Sequence, residues 1–200
     1  MFIKQQRGRE LWVIFSYCIY CFLNDSIIFR LDGESPSDLL RIIFTYVEFI
    51  LFVIFFRAVI QNPIYRLILL IVSVLFVLSA FLPFLMGVKY FNHLDSQSVT
   101  IEAIILIVTC LFFFFEQISK PQTLFIYQTP AFWIVVGILL YFAGAFFIFI
   151  YAENLTDDEL QKYWDINYAV NATKYILFAI GFMAKNNKDE YPSLTNHFNI

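Results

Sequence analysis

Long apolar runs, separated by short polar breaks, organise this chain from residue 9 onward. A helix needs about 20 mostly apolar residues to cross the hydrocarbon core of a bilayer. On that rule the runs predict six helices: Glu10–Phe29, Pro36–Ile60, Leu67–Val88, Val99–Ser119, Pro130–Ala152 and Asp157–Ala184. Transmembrane barrel strands alternate apolar and polar residues over about ten positions. The runs here are continuous, so the expected fold is an all-α polytopic transmembrane bundle over 1–184, with a short polar tail at 185–200.

Two helix starts are written clearly. Ser35-Pro36-Ser37-Asp38 offers a capping serine, a proline at the first helical position and an acid in the first turn. Leu155-Thr156-Asp157-Asp158-Glu159-Leu160 reads as a capping box with a hydrophobic staple. Such a cap lets the last helix start in water among several charges and then enter lipid.

Charge in the breaks sets the expected orientation. Lys4, Arg7, Arg9, Arg57, Arg66, Lys120, Lys185 and Lys188 fall on one side; Arg30, Arg41, Lys89 and Lys162 fall on the other. The second side also carries most of the loop acids, among them Asp32, Glu34, Asp38, Asp95 and Glu153. The expectation is a multi-pass protein of the bacterial cytoplasmic membrane with both termini in the cytoplasm. Trp12, Trp133 and Trp164 then fall near helix ends, where interfacial tryptophans collect.

Composition agrees. The chain of 200 residues is 60% hydrophobic and 14% charged and contains 26 phenylalanines, whereas a soluble domain is about 25% charged. That many phenylalanines suit a lipid-facing surface. No small-residue cleavage site follows the first apolar run, so that run is expected to stay as a helix. The odd number of cysteines, Cys18, Cys21 and Cys110, all inside apolar runs, implies no disulfide framework.

Against this background the polar residues inside the runs carry the information. Glu48 lies near the middle of the second helix and Lys174 near the middle of the sixth. An isolated charge at that depth costs about 2.5–3.5 kcal/mol on insertion scales, so such groups face the bundle interior and find partners. Their similar depth predicts that Glu48 and Lys174 pair, directly or through water. Trp164, Asn167, Asn171, Lys174, Phe178 and Gly181 recur at spacings of three and four, which puts them on one helical face. With Glu48 they are the candidate wall of a polar pocket; the competing reading is interhelical glue at about 1 kcal/mol per bond. Asn24, Asp25 and Glu102 lie at the same end and are further candidates for that pocket, and Glu116 is spaced for an ordinary pair with Lys120. Gly137, Gly144 and Gly181 are expected at close helix contacts, and Pro83 is a candidate kink in the third helix.

Other chemistry is excluded. Cys18-x-x-Cys21 has no second pair or neighbouring histidine, and His93 and His197 lie in a loop and the tail, so no metal site is expected. Pro121-Gln122 occurs once, whereas small carriers with this dipeptide hold it twice. No nucleophilic triad, zinc helix or phosphate loop is present, so no catalytic residue is assigned and no cofactor or nucleic-acid partner is implied.

The segments TYVEFILFVIFFRAVI, VTIEAIILIV, TPAFWIVVGILLYFAGAFFIFI and WDINYAVNATKYILFAIGF resemble a family of small, uncharacterised seven-helix membrane proteins common in Bacteroidetes. The resemblance covers most of the chain and implies no activity. It marks Glu48, Glu102, Trp133, Gly137, Tyr141, Gly144, Trp164, Asn171 and Lys174 as positions in the family pattern. Family members carry one more helix before the segment corresponding to the first helix here. More loosely, the arrangement is similar to the seven-helix membrane input regions of bacterial histidine kinases.

Four functions are compatible with these features. The first is a sensory or regulatory membrane module that binds a small ligand or lipid in the polar pocket. The tail is too short for an output domain, so the signal would pass to a partner membrane or signalling protein. The others are a structural subunit of a membrane complex, a proton- or ion-coupled transporter, and an intramembrane enzyme acting on lipid.

Overall fold

The computed structural model describes residues 8–30, 36–79, 91–119, 126–151 and 157–184. Six α-helices account for nearly all of them: α1 (Arg9–Arg30), α2 (Pro36–Val59), α3 (Pro63–Ser79), α4 (Phe91–Ser119), α5 (Pro130–Tyr151) and α6 (Asp157–Met183). A single 3-10 turn, Ile126–Gln128, leads into α5. Among the described residues there is no strand, and the protein is an all-α helical bundle.

Two helix starts differ from the sequence expectation. α3 begins at Pro63 rather than Leu67. Asn62 caps it, with its side-chain oxygen accepting from the backbone N–H groups of Ile64 (3.0 Å) and Tyr65 (3.2 Å), and Pro63 takes the first helical position. α4 begins at Phe91 rather than Val99, because its first two turns are polar and escape an apolar-run criterion. Ser35, Pro83, Lys120, Pro121 and the capping residues Leu155 and Thr156 lie outside the described residues, as does the tail.

Among the described residues, four helices are long and apolar enough to cross a membrane: 9–28 in α1, 40–59 in α2, 98–119 in α4 and 130–147 in α5. Two of the expected spans fall short on that measure. The described part of α3 is apolar but only 17 residues long, and α6 is diluted by Asn167, Asn171 and Lys174.

The core is aromatic. α2 runs through it, burying Thr45, Glu48, Phe49, Phe52, Phe55 and Phe56 in the three-and-four rhythm of a helix packed on several neighbours. Phe52 meets Tyr17 of α1 at 4.6 Å between ring centres and Phe142 of α5 at 5.8 Å. The outer surface is apolar too: α3 exposes Ile64, Leu67, Ile68, Ile71, Leu75 and Leu78 while burying Leu69, Ser73 and Phe76. Large apolar residues turned outward all along a helix fit a lipid-facing surface.

α5 and α6 make the most extensive helix pair. A Cβ on Gly137 would sit 3.1 Å from the Phe178 ring, and one on Gly144 would sit 3.1 Å from Val170. At Gly181 it would meet the Pro130 carbonyl oxygen at 3.1 Å. All three glycines thus lie where α5 and α6 approach closely, and that approach brings α6's polar stripe to the bundle.

Candidate functional site

Lys174 is fully enclosed, at 1% exposure, although it sits in the middle of α6. Its Nζ donates to the Tyr17 hydroxyl at 2.6 Å, and that hydroxyl donates to Glu48 Oε1 at 2.5 Å. Lys174 Nζ also lies 3.7 Å from Glu48 Oε1. The ammonium rests 3.6 Å from the centre of the Tyr141 ring, with the rings of Tyr17 and Tyr175 at 5.1 and 5.0 Å. α1, α2, α5 and α6 therefore each contribute a side chain to one charge. A buried ion pair tolerates its desolvation only when further groups satisfy it, and here a hydroxyl and three ring faces do so.

Helical periodicity explains the convergence. Tyr17 and Cys21 are four apart on the buried face of α1, and Thr45, Glu48 and Phe52 are three and four apart on that of α2. Lys174, Phe178 and Gly181 form the buried face of α6.

Directly beside this network is a cavity of about 460 Å³. It lies at the end of the bundle marked by the C-terminal halves of α1 and α5 and the N-terminal halves of α2, α4 and α6. Its polar lining is Asn24 and Asp25 from α1, Arg41, Thr45 and Glu48 from α2, Glu102 from α4, and Asn167 from α6. Tyr141 and Phe142 of α5 complete one wall. Glu48 and Glu102 are buried, at 3% and 1% exposure, whereas Asp25 and Arg41 are exposed. The volume falls within the range of small-molecule pockets, about 300–1,000 Å³.

The sequence-predicted residues divide. Glu48, Asn167, Asp25 and Glu102 line the cavity. Lys174 does not; it lies behind Glu48 and Tyr17, in its aromatic enclosure. Asn171, one turn from Asn167, is also off the cavity wall, and its side-chain oxygen is buried without a hydrogen-bond partner. The side chain of Trp164 lies outside the described ones. Sequence reasoning missed Tyr17, Tyr141 and Arg41 as parts of this region, whereas Asn24, expected beside Asp25, lines the cavity. Tyrosine is ordinary in a bundle this aromatic. Arg41 is one of several loop-side cations, so neither residue type stands out. Arg41 gave one usable signal, its spacing from Glu48 in whole helical turns.

Lys120, the expected partner of Glu116, lies outside the described residues, and Glu116 has a further part that the sequence did not suggest. Its two carboxylate oxygens accept the backbone N–H groups of Gln61 (3.0 Å) and Asn62 (2.7 Å), which tie the α2–α3 turn to the end of α4. Cys18, Cys21 and Cys110 are free thiols. No group of three or more His, Cys, Asp or Glu side chains among the described residues could hold a metal ion.

No protein-family model, no curated protein and no solved structure matches this chain.

Proposed function

We propose that the protein is an integral-membrane sensory or regulatory module whose interhelical cavity takes a small polar ligand. The observation that supports this most is that Glu48 is shared: it lines the cavity on one side and holds Lys174 and Tyr17 on the other. A ligand shifts a conformational equilibrium only as far as it binds the two states differently. A group that hydrogen-bonds Glu48 from the cavity changes the hold of Glu48 on Lys174. Ligand occupancy and the seating of α6 are then coupled through one carboxylate. The altered face of α6 is read by a partner membrane or signalling chain, and the excess of Lys and Arg on one side of the bundle supports a cytoplasmic position for both termini.

The test is thermal stability of the purified protein against a panel of small polar solutes, in parallel with an Ala145→Leu variant that fills the cavity. Stabilisation by one class of solute, lost in the variant, supports the reading. Equal responses of both proteins oppose it, and solute flux through reconstituted liposomes would replace it with a transporter.

A further inference from the structure

We infer that the ligand of this cavity is a neutral polyhydroxyl compound of sugar type: a pyranose, free or as the headgroup of a glycolipid. The inference rests on the ligand-binding reading above and names the chemistry of that same cavity.

The cavity wall offers both kinds of hydrogen-bonding group. The ionised carboxylates of Asp25 and Glu48 accept, the Arg41 guanidinium donates, and the Asn167 amide does both. These groups come from α1, α2 and α6, so they surround the space rather than form one patch. A ligand that only donates, such as an ammonium, leaves Arg41 unanswered. One that only accepts, such as a carboxylate, leaves Glu48 unanswered. A hydroxyl donates and accepts, so a ring carrying several of them can meet every one of these groups.

Charge points the same way. Glu48 already has a countercharge in Lys174, 3.7 Å away. Glu102 has an interaction of its own within the protein. At the mouth, Asp25 and Arg41 are exposed and of opposite sign. The wall therefore asks no particular charge of its ligand, and a neutral molecule enters at the smallest desolvation cost.

A further observation concerns a single atom. Asn167 Oδ1 is buried, belongs to a residue lining the cavity, and has no hydrogen-bond partner among the described residues. A buried acceptor without a donor is unfavourable until something supplies one. A ligand hydroxyl is such a donor.

The rest of the wall is largely aromatic, with Phe44, Tyr141, Phe142 and Tyr168 among its lining residues. The Tyr141 ring is already engaged by Lys174, at 3.6 Å, whereas Tyr168 is exposed. The C–H faces of a pyranose are apolar and pack on aromatic rings, while its edge carries the hydroxyls. Polar side chains of both kinds beside aromatic rings match both aspects of a sugar.

The experiment uses the full-length protein in a polyoxyethylene detergent, because a sugar-headed detergent would compete for the site. Binding is measured for the methyl glycosides of glucose, galactose and mannose. Four contrasting probes accompany them: glucosamine, glucuronate, zwitterionic glutamine and cyclohexanol. The expected result is that at least one methyl glycoside binds at least tenfold more tightly than every contrasting probe. Asn167→Leu should weaken that binding at least tenfold. Tyr168→Ala, at an exposed position where folding is not at stake, should weaken it severalfold. If a contrasting probe binds as well as the best glycoside, or if neither variant alters glycoside binding, the inference is overturned while the ligand-binding reading stands. The same holds if no glycoside binds but another solute of the panel above stabilises the protein. If nothing binds at all, both fail. Repeating the titration in phosphatidylglycerol nanodiscs, with and without a diacylglycerol glycoside of the preferred sugar, separates the sources. Competition by the added lipid identifies the headgroup, and its absence identifies a free sugar; both results uphold the polyhydroxyl class.

Discussion

Glu48 and Glu116 are both buried carboxylates, yet they differ in what surrounds them. Glu116, at 8% exposure, has both oxygens engaged by backbone N–H groups of one turn. Its partners are local to that turn, and they leave no capacity to respond to anything else. Glu48, at 3% exposure, is held by side chains from α1 and α6 and opens onto a cavity. A side-chain network has rotamers to exchange, whereas a backbone clamp does not. Burial alone therefore does not mark a site; the identity of the partners and the empty volume beside them do.

The largest effect should come from breaking the Glu48 network. Lys174→Met leaves a buried carboxylate without its countercharge and should cost about 3–5 kcal/mol. Glu48→Gln should cost a similar amount, and the double change clearly less than the sum of the two. The measurement is a double-mutant cycle by reversible unfolding in mixed micelles; additive losses would show that the two charges are not coupled.

Glu116→Ala comes next, at about 2–3 kcal/mol, because two backbone N–H groups lose a charged acceptor. Hydrogen exchange should accelerate at Gln61 and Asn62, while ligand binding at the far end of the bundle stays unchanged. A loss of ligand binding in this variant would erase the contrast between the two carboxylates.

Gly181→Ala should follow, at about 1–2 kcal/mol, since the added methyl meets a backbone carbonyl that cannot turn aside. Gly137→Ala should cost less in the same thermal assay, because the Phe178 ring in its way can shift by a few tenths of an ångström. The reverse order would mean that the helix backbones yield more readily than that side chain.

The smallest effect is expected at Asn171. Its side-chain oxygen has no partner, so Asn171→Leu should change stability by less than about 1 kcal/mol and leave ligand binding intact. A large loss would identify Asn171 as part of the working network.

Most of the fold was legible because lipid enforces long apolar runs with sharp ends. The expected starts at Pro36, Pro130 and Asp157 agree with the structure. The start of α4 at Phe91 was not legible, because a helix that begins in polar residues leaves no hydropathy edge. The juxtaposition of Glu48 and Lys174 was readable from their isolation and equal depth. Tyr17 between them was not, since a tyrosine in an apolar helix has no anomaly to betray it. The placement of Lys174 behind the cavity wall was equally hidden: helical periodicity assigns a face, but not which of two neighbours lies nearer the open space.

The central claim is that Glu48 borders a ligand site and does more than fasten helices. Native mass spectrometry of the detergent-purified protein tests it most directly, with wild type compared against Asn24→Leu, which alters the cavity wall without touching the ion pair. The account predicts a stoichiometric small molecule leaving the wild type and missing from the variant. Bare protein, or the same heterogeneous lipid on both, would contradict it and reduce the Glu48–Tyr17–Lys174 chain to a fastening between helices.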